Sequence, residues 1–299
     1  MSSIPRPFRI LFIGDVHGHW TDLDTAFLEQ GDQDLTVFVG DLGDEDVDIV
    51  RRIAAIDSEL YVMLGNHDAW QSFVDRRATK VLHEILDLLG EDHIAYSRRE
   101  LPGAGLTLIG ARPFSWGGRD LRSPELYREL YGVESHEESA ERIVDLVSRA
   151  QHEDLLMVAH NGPFGLSRRP GDIWGKDFGR PGGDWGDRDL RLALDALANQ
   201  RVHVRAVVAG HMHDRLLFPK GAARRRFLRH DGVDFVNPAV VPRIRRDPEW
   251  GELHHFLSTD WQSGSLVDVR EIWVDGEMVV RKTVRPEFHV EQENNGEAV

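Results

Sequence analysis

The chain has 299 residues, of which 41% are hydrophobic and 29% are charged, a balance typical of a folded globular protein. It contains no cysteine, which excludes disulfides, thiolate zinc sites, iron–sulfur clusters and a cysteine nucleophile. The net charge of −15 argues against non-specific nucleic-acid binding, and no apolar run approaches the ~18 residues of a membrane span. Because the first residues carry no secretion signal, we expect a cytoplasmic protein.

The first 110 residues alternate short apolar runs with longer periodic segments. Strands are predicted at 9–13, 35–39 and 60–64, and helices at 22–30 and 45–54. Because a strand–helix–strand order places successive strands side by side in one direction, it predicts a parallel sheet with helices on its faces.

Further elements follow, and the pattern changes after residue 210. Helices are predicted at 79–89 and 139–150, and strands at 106–110, 155–159 and 206–209. Short runs of β type come next, at 227–228, 233–236, 254–257, 266–272 and 278–284. No linker rich in proline or serine divides the chain, so we predict one domain over residues 1–290 and a polar tail at 291–299.

Five polar clusters each follow a predicted strand. They are Gly-Asp-Val-His-Gly at 14–18, Gly-Asp-Leu-Gly-Asp at 40–44, Gly-Asn-His-Asp at 65–68, Ala-His-Asn-Gly at 159–162 and Gly-His-Met-His at 210–213. In an open α/β sheet, ligands bind beyond the carboxyl ends of the strands. We therefore expect all five clusters to meet in one crevice.

The residue types in these clusters suit two divalent transition metals. Imidazole and carboxylate together favour zinc, iron or manganese over calcium or magnesium. His211 and His213 are two residues apart, as are Asp15 and His17, so on an extended backbone each pair points the same way. A Gly-Asp after a strand is most often only a turn, and His-x-His alone is weak evidence. The conjunction of five such clusters carries the prediction.

The order of the clusters resembles the signature of the calcineurin-like metallophosphoesterases: Asp-x-His, Gly-Asp, Gly-Asn-His-Asp/Glu, a single His, and Gly-His-x-His. The resemblance runs from Asp15 to His213, about two-thirds of the chain. It implies an α/β fold in which two sheets form a sandwich flanked by helices. It also implies a phosphoesterase with two divalent ions, manganese, iron or zinc, in which a metal-bridging hydroxide attacks phosphorus.

Carried over residue by residue, the resemblance implies seven metal ligands. The first ion would be held by Asp15, His17 and His213, the second by Asn66, His160 and His211, with Asp41 bridging them. His67 matches the histidine that contacts the substrate phosphate and assists the leaving oxygen, and Asn66 is also expected to contact substrate. Asp44 lies where some members place the carboxylate that orients this histidine. Asp68 is expected to be a structural cap or a partner of the ligands.

Two departures from the family pattern bear on the substrate. Protein Ser/Thr phosphatases follow the second Gly-Asp with Asp-Arg, whereas Asp44 is followed here by Glu45 and Asp46, and they carry Gly-Asn-His-Glu where this chain has Asp68. We therefore expect a small phosphorylated substrate, such as a cyclic nucleotide or dinucleotide, with a phosphodiester or phosphoanhydride bond. A monoesterase and a metal-binding interaction scaffold remain alternatives. A nuclease, a nucleic-acid partner and a membrane partner are disfavoured, and the oligomeric state is open.

Some residues outside the signature are also candidates for substrate contact. The loop 163–189 is rich in glycine and lies between two ligand clusters. It could be a substrate lid, stacking a base and contacting phosphate through Trp174, Lys176, Arg180 and Trp185, or a structural loop whose tryptophans only pack. Arg112 follows a predicted strand and could bind substrate or be a solvated surface arginine. The run of three arginines at 224–226 is expected to be a solvated hairpin.

Overall fold

A computed structural model describes residues 6–290. Its strands are β1 (Phe8–Ile13), β2 (Leu35–Phe38), β3 (Leu60–Val62), β4 (Arg98–Leu101), β5 (Leu106–Gly110), β6 (Asp154–Val158), β7 (His203–Val208), β8 (Phe227–His230), β9 (Val233–Val236), β10 (Ile244–Asp247), β11 (Gly251–Gln262), β12 (Ser265–Val274), β13 (Val280–Val284) and β14 (His289–Val290). Its helices are α1 (Asp22–Gln30), α2 (Val47–Ala54), α3 (Trp70–Asp75), α4 (Lys80–Leu89), α5 (Pro124–Tyr131), α6 (His136–Val147) and α7 (Arg188–Leu197). Short 3-10 helices lie at His67–Ala69 and Gly90–Asp92.

The strands form two seven-stranded sheets. The first has the order β13-β12-β11-β1-β2-β3, with β10 paired to β11, and the second has the order β14-β8-β9-β7-β6-β5-β4. β1, β2 and β3 are parallel, as the strand–helix alternation predicts, and so are β5, β6, β7 and β9. β11 pairs antiparallel with β1, placing Thr259 opposite Ile10, so the C-terminal strands extend the first sheet.

The sheets pack face to face, and helices cover their outer faces. On β1, Ile10 and Phe12 belong to the core between the sheets, whereas Leu11 and Ile13 pack with the helices. Since successive side chains of a strand point to opposite faces, burial of both faces explains why this strand is a continuous apolar run. The two-sheet α/β sandwich flanked by helices is confirmed.

The apolar patterns predict some elements and miss others. The helix predicted at 22–30 coincides with α1, whereas the one predicted at 139–150 begins earlier, at His136. The sequence patterns did not indicate α3, α5 and α7, nor β4 and β10. β4 is a half-buried edge strand of sequence Arg-Arg-Glu-Leu, and it has no apolar run to find.

Residues 1–5 and the predicted polar tail at 291–299 lie outside the described residues. The assignment of one domain to residues 1–290 stays a prediction, as does the cytoplasmic location. Within residues 6–290, no helix combines the length and the apolar character needed to cross a membrane.

Candidate metal centre

The five clusters meet at one edge of the sandwich. Three of them follow the carboxyl ends of β1, β2 and β3 in the first sheet. The other two follow β6 and β7 in the second sheet. Since parallel strands present their carboxyl ends at the same edge, the structure brings the seven predicted ligands together from both sheets.

The first group of ligand atoms comprises Asp15, His17 and His213. The Nε2 atoms of His17 and His213 are 3.2 Å apart, and His213 Nε2 is 3.5 Å from Asp15 Oδ1. His17 Nε2 also lies 3.7 Å from Asp41 Oδ2. Ligands of one ion at the usual bond length of about 2.1 Å are roughly 3.0–3.4 Å apart, so this spacing fits a metal.

The second group comprises Asp41, His160 and His211, with Asn66 beside it. His160 Nδ1 donates to the Val39 carbonyl oxygen at 2.8 Å, so Nε2 of the neutral ring carries a lone pair. That lone pair faces Asn66 Oδ1 at 2.9 Å and Asp41 Oδ1 at 3.5 Å. Acceptor atoms turned toward one another in a buried site are unfavourable unless a cation lies among them, and so this donor set fits a metal.

The backbone of these clusters is held in a conformation that side chains disfavour. Positive φ angles occur at Asp15 (51°), His17 (46°), Asp41 (52°), Asp44 (51°) and His211 (69°). Non-glycine residues rarely adopt this region, and its retention is common at functional sites. The surrounding structure must therefore hold these residues in place, which fixes the positions of their side chains.

Two glycines allow the ligand loops to approach closely. A Cβ atom at Gly65 would lie 2.2 Å from Asp41 Oδ1, and one at Gly210 would lie 2.2 Å from Asp15 Oδ2. Both distances are far inside van der Waals contact. Glycine therefore makes room for two of the predicted ligands.

Asp68 connects the second and third clusters. Its buried carboxylate accepts hydrogen bonds from Leu42 N at 2.8 Å and from Gly65 N at 2.9 Å. These contacts fix one ligand loop against the next. This geometry agrees with a structural cap rather than a metal ligand.

Asp44 lies between a predicted ligand and the predicted catalytic histidine. Its Oδ1 atom is 2.9 Å from His17 Nδ1 and 3.5 Å from His67 Nδ1. Burial lowers the pKa of His17, but its hydrogen bond to the Asp44 carboxylate and the nearby carboxylates of Asp41 and Asp15 outweigh this effect and raise the pKa to about 9. This concentration of carboxylates is an environment that attracts cations.

A cavity of about 630 Å³ opens above the candidate centre. Asn66, His67, His211 and His213 line its floor. Its walls come from residues 116–122, 177–185 and 212–217. The predicted substrate contacts at Asn66 and His67 therefore face a space large enough for a small molecule.

The structure contradicts the solvent exposure that the sequence predicted for Arg112. It is 4% exposed, and its guanidinium lies 2.6 Å from Asp189 Oδ2 and 3.0 Å from Asp187 Oδ1. The prediction of a solvated surface arginine is therefore wrong. Arg112 is also absent from the cavity lining, because the two buried carboxylates hold it behind the wall, and we withdraw its role in substrate binding.

In the loop 163–189, some residues pack in the interior and others face the cavity, so both the structural role and the substrate-contacting role find support. Trp174 is fully buried, and its Nε1 lies 3.3 Å from the Gly210 carbonyl oxygen. Trp185 lines the cavity, and Lys176 Nζ lies 4.7 Å from the centroid of its ring. Arg180 is exposed and is not part of the cavity lining. One tryptophan is thus a packing residue, and the other faces the cavity.

Arg224 is a residue whose role the sequence analysis missed. It is buried rather than solvated, and its Nε donates to the carbonyl oxygen of His213 at 2.8 Å. Its Nη1 donates to three carbonyl oxygens of the loop, at Pro170, Asp172 and Gly175. Arg224 therefore joins the loop to a predicted ligand, and nothing in a run of three arginines indicates this.

Comparison with known proteins agrees with this geometry. Two groups of metal-type ligands that share a carboxylate at the edge of a two-sheet sandwich are typical of dinuclear metallohydrolases. The family model for the calcineurin-like phosphoesterases matches residues 8–215. The chain belongs to this family, whose members hydrolyse phosphoesters at a dinuclear divalent metal centre. The predicted family is confirmed, whereas the preference for a phosphodiester or phosphoanhydride substrate stays a prediction.

Solved structures support the fold. The protein TT1561 of Thermus thermophilus is 10% identical, with a TM-score of 0.52 over 87% of this chain and 97% of that one. A dimetal phosphatase from Danio rerio is 15% identical, with a TM-score of 0.50 over 94% of this chain and 99% of that one. No curated protein sequence matches the chain significantly.

Proposed function

We propose that this protein hydrolyses a small phosphodiester or phosphoanhydride in a reaction that depends on two divalent metal ions. The observation that carries this proposal is the position of Asp41. Its Oδ2 lies 3.7 Å from His17 Nε2 and its Oδ1 lies 3.5 Å from His160 Nε2, so one carboxylate belongs to both ligand groups. A shared carboxylate supports a pair of adjacent ions rather than one.

The proposed ligand sets divide around this carboxylate. One ion would be held by Asp15, His17, His213 and Asp41, and the other by Asn66, His160, His211 and Asp41. Two ions here would supply Lewis-acid charge and lower the pKa of water held at the site. Manganese, iron and zinc all suit imidazole and carboxylate ligands.

His67 is proposed to hold the proton that the leaving oxygen receives. Its ring lines the cavity, and its Nδ1 faces Asp44 at 3.5 Å. A carboxylate beside one ring nitrogen orients the ring and leaves Nε2 to carry the transferable proton. Its backbone N–H donates to Asp41 Oδ1 at 2.9 Å, which places the ring next to the centre.

Charge and shape support a small substrate over a phosphoprotein. The chain has a net charge of −15, and acidic residues follow Asp44 where protein phosphatases of the family carry an arginine. The cavity has walls on several sides and a volume of about 630 Å³, within the usual range of small-molecule sites. A folded phosphoprotein surface would need a more open approach.

The test is metal-dependent turnover of bis(p-nitrophenyl) phosphate beside p-nitrophenyl phosphate, with the metal content measured on the same sample. Diester turnover above monoester turnover, with about two metals per chain, is the expected result. An Asp41→Ala preparation made in parallel controls for contaminating phosphatases. Monoester preference would replace the diesterase with a phosphatase. Two bound metals without turnover of either substrate would contradict the enzyme and favour the scaffold.

A further inference from the structure

Two tryptophans line the cavity wall, and the proposed bond cleavage uses neither of them. Trp116 follows β5, and Trp185 comes from the loop 163–189. Trp185 Nε1 donates to the Trp116 carbonyl oxygen at 2.7 Å. The Trp185 ring also packs on Gly118, where a Cβ atom would come within 3.1 Å of it. The two residues are therefore fixed to each other, so little ordering remains for a ligand to impose.

Both tryptophan rings carry cations. The Arg122 guanidinium lies 4.2 Å from the Trp116 ring centroid, and Lys176 Nζ lies 4.7 Å from that of Trp185. Arg119 and Arg122 are exposed at the cavity, and neither forms an ion pair with any carboxylate among residues 6–290. Cations that lack a carboxylate partner beside a phosphate site are available for an anion of the substrate.

Acidic groups at the cavity do not cancel this charge. Asp177 is already paired, since its Oδ2 accepts from Leu217 N at 2.8 Å and lies 3.3 Å from Arg224 Nη2. Asp120 is the remaining carboxylate of the lining, against three exposed arginines, Arg119, Arg122 and Arg215. Of these, Arg215 is paired, since its Nε lies 3.7 Å from Asp214 Oδ2. Although the chain has a net charge of −15, the wall of this cavity therefore carries a local excess of positive charge.

We propose that the cavity recognises a nucleoside diphosphate or polyphosphate group, a substrate class that rests on the proposed function for the bond that is cleaved. A planar base would lie against the wall that Trp116 and Trp185 form, since aromatic rings prefer stacked or edge-on contact with flat π systems. A second phosphate, beyond the one at the metal centre, would bind Arg119 and Arg122. The volume of about 630 Å³ accommodates both groups.

Calorimetric titration of the metal-loaded protein with three probes separates these contacts. AMP against ribose 5-phosphate measures the base, and ADP against AMP measures the second phosphate. We expect about 10-fold tighter binding at each step. Trp185→Leu should abolish the difference in affinity between AMP and ribose 5-phosphate. Arg122→Gln should abolish the difference between ADP and AMP and keep the difference between AMP and ribose 5-phosphate. Trp116→Leu is the alternative if the Trp185 variant does not fold, which circular dichroism would show.

Matched controls come from outside the cavity. Trp250→Leu removes a tryptophan whose ring also carries an arginine, with the Arg281 guanidinium 4.3 Å from its centroid. Arg246→Gln removes an exposed arginine. Both controls should bind the three probes as the wild type does. The proposal is overturned if the wild type shows neither difference, or if the cavity variants behave like the controls.

The two proposals fail in different ways. If neither nitrophenyl substrate is turned over but AMP still binds tighter than ribose 5-phosphate and ADP tighter than AMP, the proposed enzymatic activity is contradicted. The recognition of a nucleoside diphosphate group is then supported. If bis(p-nitrophenyl) phosphate is hydrolysed but ADP binds no tighter than ribose 5-phosphate, the proposed enzymatic activity is supported and the recognition of a nucleoside diphosphate group is contradicted.

Discussion

The floor and the walls of the cavity are built in different ways. The floor consists of short loops at the ends of neighbouring strands, and each loop carries its ligand-type residues in a cluster of four or five neighbouring positions. The walls consist of irregular segments that meet across long distances in the chain, as Trp185 and Trp116 do across 69 residues. The comparison suggests that local motifs set the chemistry of the centre, whereas long-range contacts set the shape of the space above it.

Breaking the floor should have the largest effect. In Asp41→Ala both ligand groups lose a carboxylate oxygen, so we expect both metals and all metal-dependent turnover to be lost. Inductively coupled plasma mass spectrometry gives the metal content, which should be about two per chain in the wild type. Asp57→Ala, at an exposed position, is the control. A variant that keeps two equivalents would refute the bridging role.

Breaking the wall should reduce stability and leave the metals in place. Arg112→Met strips the buried carboxylates of Asp187 and Asp189 of their cation, which should cost about 3–5 kcal/mol of unfolding free energy. Urea unfolding measures the loss, and the folded fraction should retain its metal. Arg246→Met, at an exposed site, should stay within about 0.5 kcal/mol of the wild type. A loss below about 1 kcal/mol would show that the buried network does not hold the wall.

A change on the floor that removes no proposed metal ligand should affect turnover alone. His67→Ala removes the proposed proton donor but no proposed ligand, so turnover should fall by ~10²-fold or more with unchanged metal content. His83→Ala, an exposed histidine on α4, is the matched control. Undiminished turnover in a metal-replete His67 variant would remove the assigned role.

The smallest effect is expected at His93, which is not part of the cavity lining. Its ring nitrogens contact the Val62 carbonyl oxygen on β3 and the Tyr131 hydroxyl on α5. Burial lowers the pKa of His93 to about 4, with the Val62 contact opposing it. The unfolded chain therefore binds this proton more readily, so the stability from neutral His93 is present above about pH 6.5 and is lost as the pH falls toward 4.

The measurement is urea unfolding at pH 7.5 and pH 5. His93→Gln should lose about 2 kcal/mol less between the two pH values than the wild type does. Because the other histidines titrate in both proteins, the difference isolates His93. His83→Gln should follow the wild type, and equal losses in all three proteins would show that His93 does not contribute.

The parts of the molecule that the sequence predicted share one property, namely that their signals are local. Helix α1 and the five ligand clusters are each specified within about ten neighbouring residues. Arg112 could not be interpreted in this way, because its partner Asp189 lies 77 residues away. Arg224 meets the carbonyl oxygen of Pro170 across 54 residues, and an arginine run predicts solvent exposure. Only the folded chain shows that such residues are buried and paired.

The centre draws its ligands from both layers of the sandwich, which has a consequence for folding. His17 follows a strand of the first sheet, and its Nε2 lies 3.2 Å from Nε2 of His213, which follows a strand of the second. Asn66 and His160 also come from different sheets, with Oδ1 and Nε2 2.9 Å apart. Ions bound there would cross-link the two layers. Since a ligand that binds only the native state adds to the free energy of unfolding, chelation should lower the melting temperature of the whole chain. The cell's metal supply would then govern how much of this protein survives as well as how fast it works.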